Sequence, residues 1–157
     1  MRNILLLIVI SIWSCSDGSQ DGWPDKNLIE YGVPMTIRAP EGVEVDKRAL
    51  GFQQDIVIKD DSEYNVQIFV SDAIVATEGA ALQAQRELVE ESPVFHQVIK
   101  NDENGFIFEN KVDSTHSSFG FRYVKLMGGK EYIFQEGLMG NFSQSAVEAM
   151  YDGVVQK

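Results

Sequence analysis

The sequence predicts an α+β fold: a mostly antiparallel sheet covered by two helices. Three observations carry this expectation. Short runs rich in β-branched and aromatic residues are separated by turn-forming residues. Two of those separations are the tight-turn pairs Asn104-Gly105 and Gly128-Gly129. Two stretches, 78–91 and 145–154, have helical composition or spacing instead. Antiparallel strands with an apolar face need helices to cover it, which makes a layered sandwich the economical arrangement.

From the N-terminus, Arg2 is a basic flank and Ile4 to Ile12 form an apolar run broken only by Ser11. Such a run is too short to span a bilayer, which takes about 20 apolar residues. With a basic flank before it and small Ser14 after it, it reads as a cleaved secretory signal over 1–14. Residues 16–27, SDGSQDGWPDKN, are rich in Gly, Ser and Asp, and Pro24 is expected to break any regular element there. Residues 15–30 therefore read as a tether, with one folded domain over 31–157. Fully extended, residues 16–27 reach roughly 40 Å.

Within the domain, 35–38 (MTIR) is a short strand closed by Pro40, and 43–45 alternates as a second one. Residues 55–59 (DIVIK) and 64–71 (YNVQIFVS) flank the polar loop 60–63, as in a hairpin. The helix expected over 78–91 has Thr77 as N-cap and Pro93 as its stop. Ala81, Ala84 and Leu88 mark its inner face, with Leu82 and Val89 beside it. Runs 95–100 and 106–111 flank Asn104-Gly105, which suits a type I′ turn because both residues tolerate positive φ. Runs 119–127 and 130–138 flank Gly128-Gly129 in the same way, with Phe119, Phe121 and Tyr123 on one face of the first. Ser145 and Glu148 have capping-box spacing. Val147, Met150, Tyr151 and Val154 follow as an amphipathic stripe.

The formal net charge is −11, and Arg2 is the only charge in 1–14, so the rest carries 12 basic and 24 acidic residues, or −12. That balance argues against nucleic-acid binding, which needs a basic footprint. Cys15 is the only cysteine, which leaves no pair for a disulfide.

No catalytic constellation emerges. His96 and His116 lie twenty residues apart without metal-ligand spacing, and no metal or cofactor is expected. Asp113, Ser114, Thr115, His116, Ser117 and Ser118 include every residue type of a Ser-His-Asp triad, yet triad members normally come from separated segments. The expected reading is a polar loop. The acidic stretches 60–63 and 101–105 lack EF-hand spacing and read as hairpin tips. Glu90-Glu91 reads as an exposed helix end, and Gly128-Gly129 as a turn without a phosphate-loop pattern. Phe52, Phe69, Phe106, Phe108, Phe119, Phe121 and Phe134 are expected to pack the core.

Two resemblances add to this. Ile12-Trp13-Ser14-Cys15 resembles the lipobox of bacterial lipoproteins, with Trp13 departing from its usual small residue. The resemblance implies lipidation at Cys15 and a membrane anchor in the cell envelope. Ser16 rather than Asp after the cysteine favours the outer membrane. The order of elements over 31–157 resembles the PsbP-like family, an α/β/α sandwich. The segments that carry it are 31–40, the Gly-Gly hairpin within 125–138, and Asn141-Phe142-Ser143 before the last helix. A cystatin-like or other curved-sheet fold is the alternative. The family implies accessory or binding roles and supplies no shared active site. The expected function is thus a non-enzymatic envelope lipoprotein that binds a protein partner. The alternative is a carrier of a small apolar ligand or lipid held between sheet and helix, and a hydrolase centred on His116 ranks last.

Overall fold

The computed structural model describes residues 22–60 and 63–155. The signal over 1–14, Cys15 and the first part of the tether lie outside them. A ribbon of β1 (Asp25–Asn27) and β2 (Thr36–Arg38) precedes a seven-stranded antiparallel sheet. The sheet comprises β3 (Glu44–Leu50), β4 (Gln53–Lys59), β5 (Asn65–Asp72), β6 (Phe95–Asn101), β7 (Gly105–Lys111), β8 (Ser117–Met127) and β9 (Lys130–Glu136). Helix α1 (Glu78–Glu90) connects β5 to β6, and α2 (Gln144–Val154) follows β9. The spatial order is β3-β4-β5-β9-β8-β7-β6. Two meanders meet where β5 pairs with β9, and α1 carries the chain from the centre of the sheet to its far edge.

The helices lie on opposite faces. Ala81, Leu82 and Val89 of α1 pack with Phe106, Phe108 and Val124. Val147, Met150, Tyr151 and Val154 of α2 pack with Ile107, Phe121, Tyr123 and Phe134. Phe106 and Phe108 alternate with Ile107 along β7, and successive strand residues point to opposite faces. The expected α+β sandwich is therefore what forms. Its sheet stays open, unlike the curved-sheet alternative. The ribbon lies beside α2 on the inner face, where Ile37 joins Ile56, Ile58 and Ile68 in the core.

Five local expectations are revised by tertiary context. Ordered structure reaches further toward the N-terminus than Tyr31. Pro24 lacks only an N–H, and its carbonyl accepts from the Ala39 N–H (3.2 Å), so it sits at the mouth of the ribbon without breaking it. Leu28 is fully buried there, and Trp23 packs edge-on against Tyr64 at 5.1 Å. In α1, the Thr77 cap forms and its hydroxyl accepts from the Ala80 N–H. The inner face, however, runs through Ala81, Leu82 and Val89, while Ala84 and Leu88 face solvent. Arg86 lies between Leu82 and Val89 on this side and places its guanidinium over the Phe106 ring, 4.6 Å from its centre. An arginine stem thus takes part of the apolar stripe, which hydrophobic spacing alone assigns to Leu88.

The Gly128-Gly129 pair adopts the expected left-handed conformation at both residues, φ 60° and 75°. Asn104-Gly105 does not, and Gly105 is the first residue of β7 instead. A β-carbon there would lie 2.6 Å from the Tyr151 hydroxyl and 2.7 Å from the Arg122 carbonyl oxygen, so glycine is required by close approach rather than by turn geometry. Helix α2 is capped by Ser143, whose hydroxyl accepts from the Ala146 N–H, and not by Ser145. Glu148 instead accepts from the Gln144 carboxamide one turn earlier. Phe52 leaves the core: it sits at the β3–β4 tip next to left-handed Gly51 and is 89 % exposed. Among the described residues, no helix is long and apolar enough to cross a membrane.

Candidate functional site

The loop around His116 is tightly bonded but not arranged for nucleophilic catalysis. Asp113 accepts from the backbone N–H groups of Thr115 (2.7 Å) and His116 (2.9 Å), and from the Thr115 hydroxyl. These bonds hold its carboxyl down at about 2. Both Asp113 (2.8 Å) and Thr115 (3.0 Å) meet the same imidazole nitrogen, Nδ1. A triad needs the acid on one ring nitrogen and the nucleophile on the other. Ser117 turns away and donates to Glu109. The loop is a closed turn whose polar side chains satisfy its own backbone. His96 lies in β6 where the register with β7 shifts, and it is exposed. Among the described residues, no cluster of His, Cys, Asp and Glu is arranged to hold a metal.

The stronger candidate lies on the outer face of the sheet. Helix α1 covers that face over β6, β7 and β8, and leaves β3, β4 and β5 without a helix. Alternation sends Ile56, Ile58, Val66, Ile68 and Val70 inward, and Asp55, Val57, Asn65, Gln67 and Phe69 outward. In cross-strand register, Arg48 faces Asp55, Val57 faces Gln67, and Gln67 faces Gln135. The segment after β9, Gly137 to Met139, folds along the end of these strands. Its Gly137 N–H donates to the Asn65 carbonyl, and a side chain at Gly137 would collide with the Asn65 carboxamide. The result is a groove of about 350 Å³ bordered by Asp55, Asn65, Gln67, Arg48, Leu138 and Met139.

The polar groups of this groove are only half satisfied. Gln67 donates from Nε2 to the Asp55 carboxylate at 2.8 Å, and both side chains are buried. Gln67 Oε1 and Asn65 Oδ1 are buried without a hydrogen-bond partner among the described residues. A buried acceptor left unpaired costs on the order of 1–3 kcal/mol, so such groups need an explanation. Leu138 and Met139 stand 77 % and 86 % exposed on the rim. The groove thus combines unpaired acceptors, one buried carboxylate and an apolar lip. Its residues are visible in the sequence only as the polar half of strand alternation. Asn65 is packed against Gly137 of the segment that follows β9.

Other polar clusters serve the scaffold. Lys100 bridges Asp152 (2.9 Å) and Asp102 (3.8 Å), and Arg38 donates to the Asp152 carbonyl, which ties α2 to the β6–β7 hairpin and the ribbon. Glu78 accepts from Lys125 and from the Leu126 N–H and fixes the start of α1 to β8. A second concavity of about 380 Å³ opens between the ribbon and β8, bordered by Ile29, Met35 and Met127. Its one charged group, Lys125, is already held by Glu78.

The chain matches no protein-family model, no curated protein and no solved structure.

Proposed function

We propose that the chain is a lipid-anchored, non-enzymatic accessory module of a bacterial envelope that binds a protein partner in the outer-face groove. The carrying observation is the groove itself, where buried Asn65 and Gln67 acceptors lack partners among the described residues, beside an exposed Leu138-Met139 lip. A partner segment that supplies N–H donors and apolar side chains would complete both. The acidic balance of the chain, −11, keeps the domain soluble and disfavours polyanionic partners. The resemblance to the PsbP-like family implies the same class of role.

The carrier alternative needs an interior cavity of roughly 300 Å³ or more. At the α2 interface, Phe121, Phe134, Met150 and Tyr151 are fully buried. The void bordered there by Trp23, Tyr64, Ala146 and Met150 is about 90 Å³. The surface groove therefore supports binding better than the interior does.

Crosslinking in intact membranes followed by affinity capture tests the groove. The wild-type chain is expected to recover a specific envelope protein, and Leu138→Asp/Met139→Asp to lose most of it. Phe52→Asp, at an exposed apolar residue outside the groove, should keep it. Equal recovery by the groove variant would remove the assignment. The anchor has its own test: labelling with a palmitate analogue should mark the wild-type chain and spare Cys15→Ala. Equal labelling of the two would exclude acylation at Cys15.

A further inference from the structure

The two edges of the sheet differ. At one edge, β6 shifts register against β7 between Phe95 and Gln97 and again between Val98 and Lys100. Such bulges spoil an edge as a template for another strand. At the other edge, β3 runs seven residues in unbroken register, from Glu44 opposite Lys59 to Leu50 opposite Gln53. Charged residues on an edge usually block pairing. Here the outer face carries both signs, Glu44 and Asp46 acidic and Arg48 basic, with Asp46 and Arg48 exposed by 59 % and 67 % and, among the described residues, held by each other at 3.6 Å.

We propose that β3 is a homotypic interface, where a second copy of this chain pairs antiparallel across a two-fold axis at Lys47 and extends the sheet from seven strands to fourteen. The proposal stands apart from the groove reading and does not depend on what fills the groove. A two-fold axis normal to the sheet keeps faces matched, so residues opposite each other must share a face. Three registers near the centre of the strand satisfy this. An axis at Asp46 sets Glu44 opposite Arg48 of the partner subunit but puts two exposed Asp46 carboxylates against each other at its centre, and an axis at Arg48 does the same with guanidinium groups. An axis at Lys47 sets Asp46 opposite Arg48 of the partner subunit, and Arg48 opposite Asp46 of the partner subunit. The same register sets Val45 opposite Ala49 on the inner face. Opposite charges directly across strands stabilise pairing, and like charges oppose it. The register at Lys47 is preferred to that at Asp46 because its self-opposed group is the one whose charge is already drawn off the strand.

Lys47 meets its own copy at the axis. Its ammonium lies over the ribbon, 3.1 Å from where a β-carbon on Gly32 would stand, next to the Gln54 carboxamide. The two ammonium groups are thereby drawn away from the axis onto their own ribbons. Asp46 and Arg48 also border the outer-face groove, so pairing would bring two grooves together across the axis.

Charge exchange tests the register. Native mass spectrometry of the full chain released in mild detergent is expected to show a dimer at micromolar concentration. Asp46→Arg and Arg48→Asp each place like charges opposite each other, and each should weaken dimerisation about tenfold or more. The double variant Asp46→Arg/Arg48→Asp restores both pairs and should dimerise again. Mixing the two single variants should yield a heterodimer, because one supplies two guanidinium groups and the other two carboxylates. Both sites are exposed, and circular dichroism checks that the variants stay folded. A monomeric wild type, or single variants that dimerise as well as wild type, would overturn the proposal. Loss of partner capture by the groove variant with dimerisation intact would leave it standing.

Discussion

Replacing Arg122 with alanine is expected to destabilise the domain by about 3 kcal/mol, read as a lower midpoint of urea unfolding with an unchanged slope. The reason lies where β9 ends. Pairing of β8 with β9 stops at Arg122 opposite Gln135, but β8 extends further toward its own start. The Phe121 N–H then has no strand to meet and donates to the Glu136 carboxylate at 2.7 Å. Arg122 closes the arrangement, with Nη1 at 3.1 Å from Glu136 and 2.7 Å from the Phe121 carbonyl. Both side chains are largely buried, at 15 % and 19 % exposure, which puts the expected loss at the low end for a buried pair.

Burial pushes the Glu136 carboxyl up, and Arg122 opposes that shift. Without Arg122 the folded-state value rises further above the unfolded one. A carboxyl raised on folding favours the folded state below its unfolded value and loses that support as pH rises through its folded value. The deficit of Arg122→Ala relative to wild type should therefore shrink on acidification toward about pH 4, the ordinary Glu range. Glu136→Gln added to Arg122→Ala should recover part of the lost stability at neutral pH, because it removes the stranded charge. A deficit that is the same at pH 4 and pH 8, with no recovery in the double variant, would mean that Arg122 acts through packing alone.

Tyr151→Ala should cost about 3–5 kcal/mol, measured in the same way. The ring is fully buried and meets Phe121 edge-on at 5.9 Å and Tyr123 at 6.5 Å. Lys100 sits 4.8 Å from its centre, and its hydroxyl donates to Asp102 at 2.8 Å. Burial and the Asp102 carboxylate both push the Tyr151 hydroxyl up, so it stays protonated as a donor. Tyr151→Phe keeps the ring contacts and removes one hydrogen bond to a half-exposed carboxylate, which should cost only about 1 kcal/mol. Equal losses for the two variants would place the contribution in the hydroxyl rather than in ring packing. The close seat of this ring over position 105 also explains why a glycine is needed there although it lies in a strand.

Features legible in the sequence are those set by neighbours within a few residues. The runs 55–59 and 64–71 announce β4 and β5 because their branched side chains alternate. Gly128-Gly129 announces its hairpin because two left-handed residues are needed there. The stripe Val147, Met150, Tyr151 and Val154 announces the buried side of α2. Errors fall where two signals of similar strength compete. Ala81, Ala84 and Leu88 fit a helical face as well as Ala81, Leu82 and Val89, and the choice rests on Phe106 and Phe108 across the interface. Ser143 and Ser145 are both good N-caps, and Ser143 also donates to Glu63 at 3.0 Å.

The sequence alone determined that this chain would fold as antiparallel strands with two covering helices, because the periods of 2 and 3.6 are local properties of the backbone. It also holds the resemblance at Cys15, which no packing decides. Only the tertiary structure decided which face stays bare. Asp55, Asn65 and Gln67 look like ordinary solvent-facing strand residues, yet Gly137 of the segment after β9 packs on the Asn65 carboxamide, and Asp55 and Gln67 are buried as a bonded pair. Likewise β5 becomes an interior strand only once β9 inserts beside it, which leaves β3 and β6 as the two edges of one sheet. Both depend on pairings between residues some seventy positions apart, as in Asn65 with Gly137, and no local pattern encodes those.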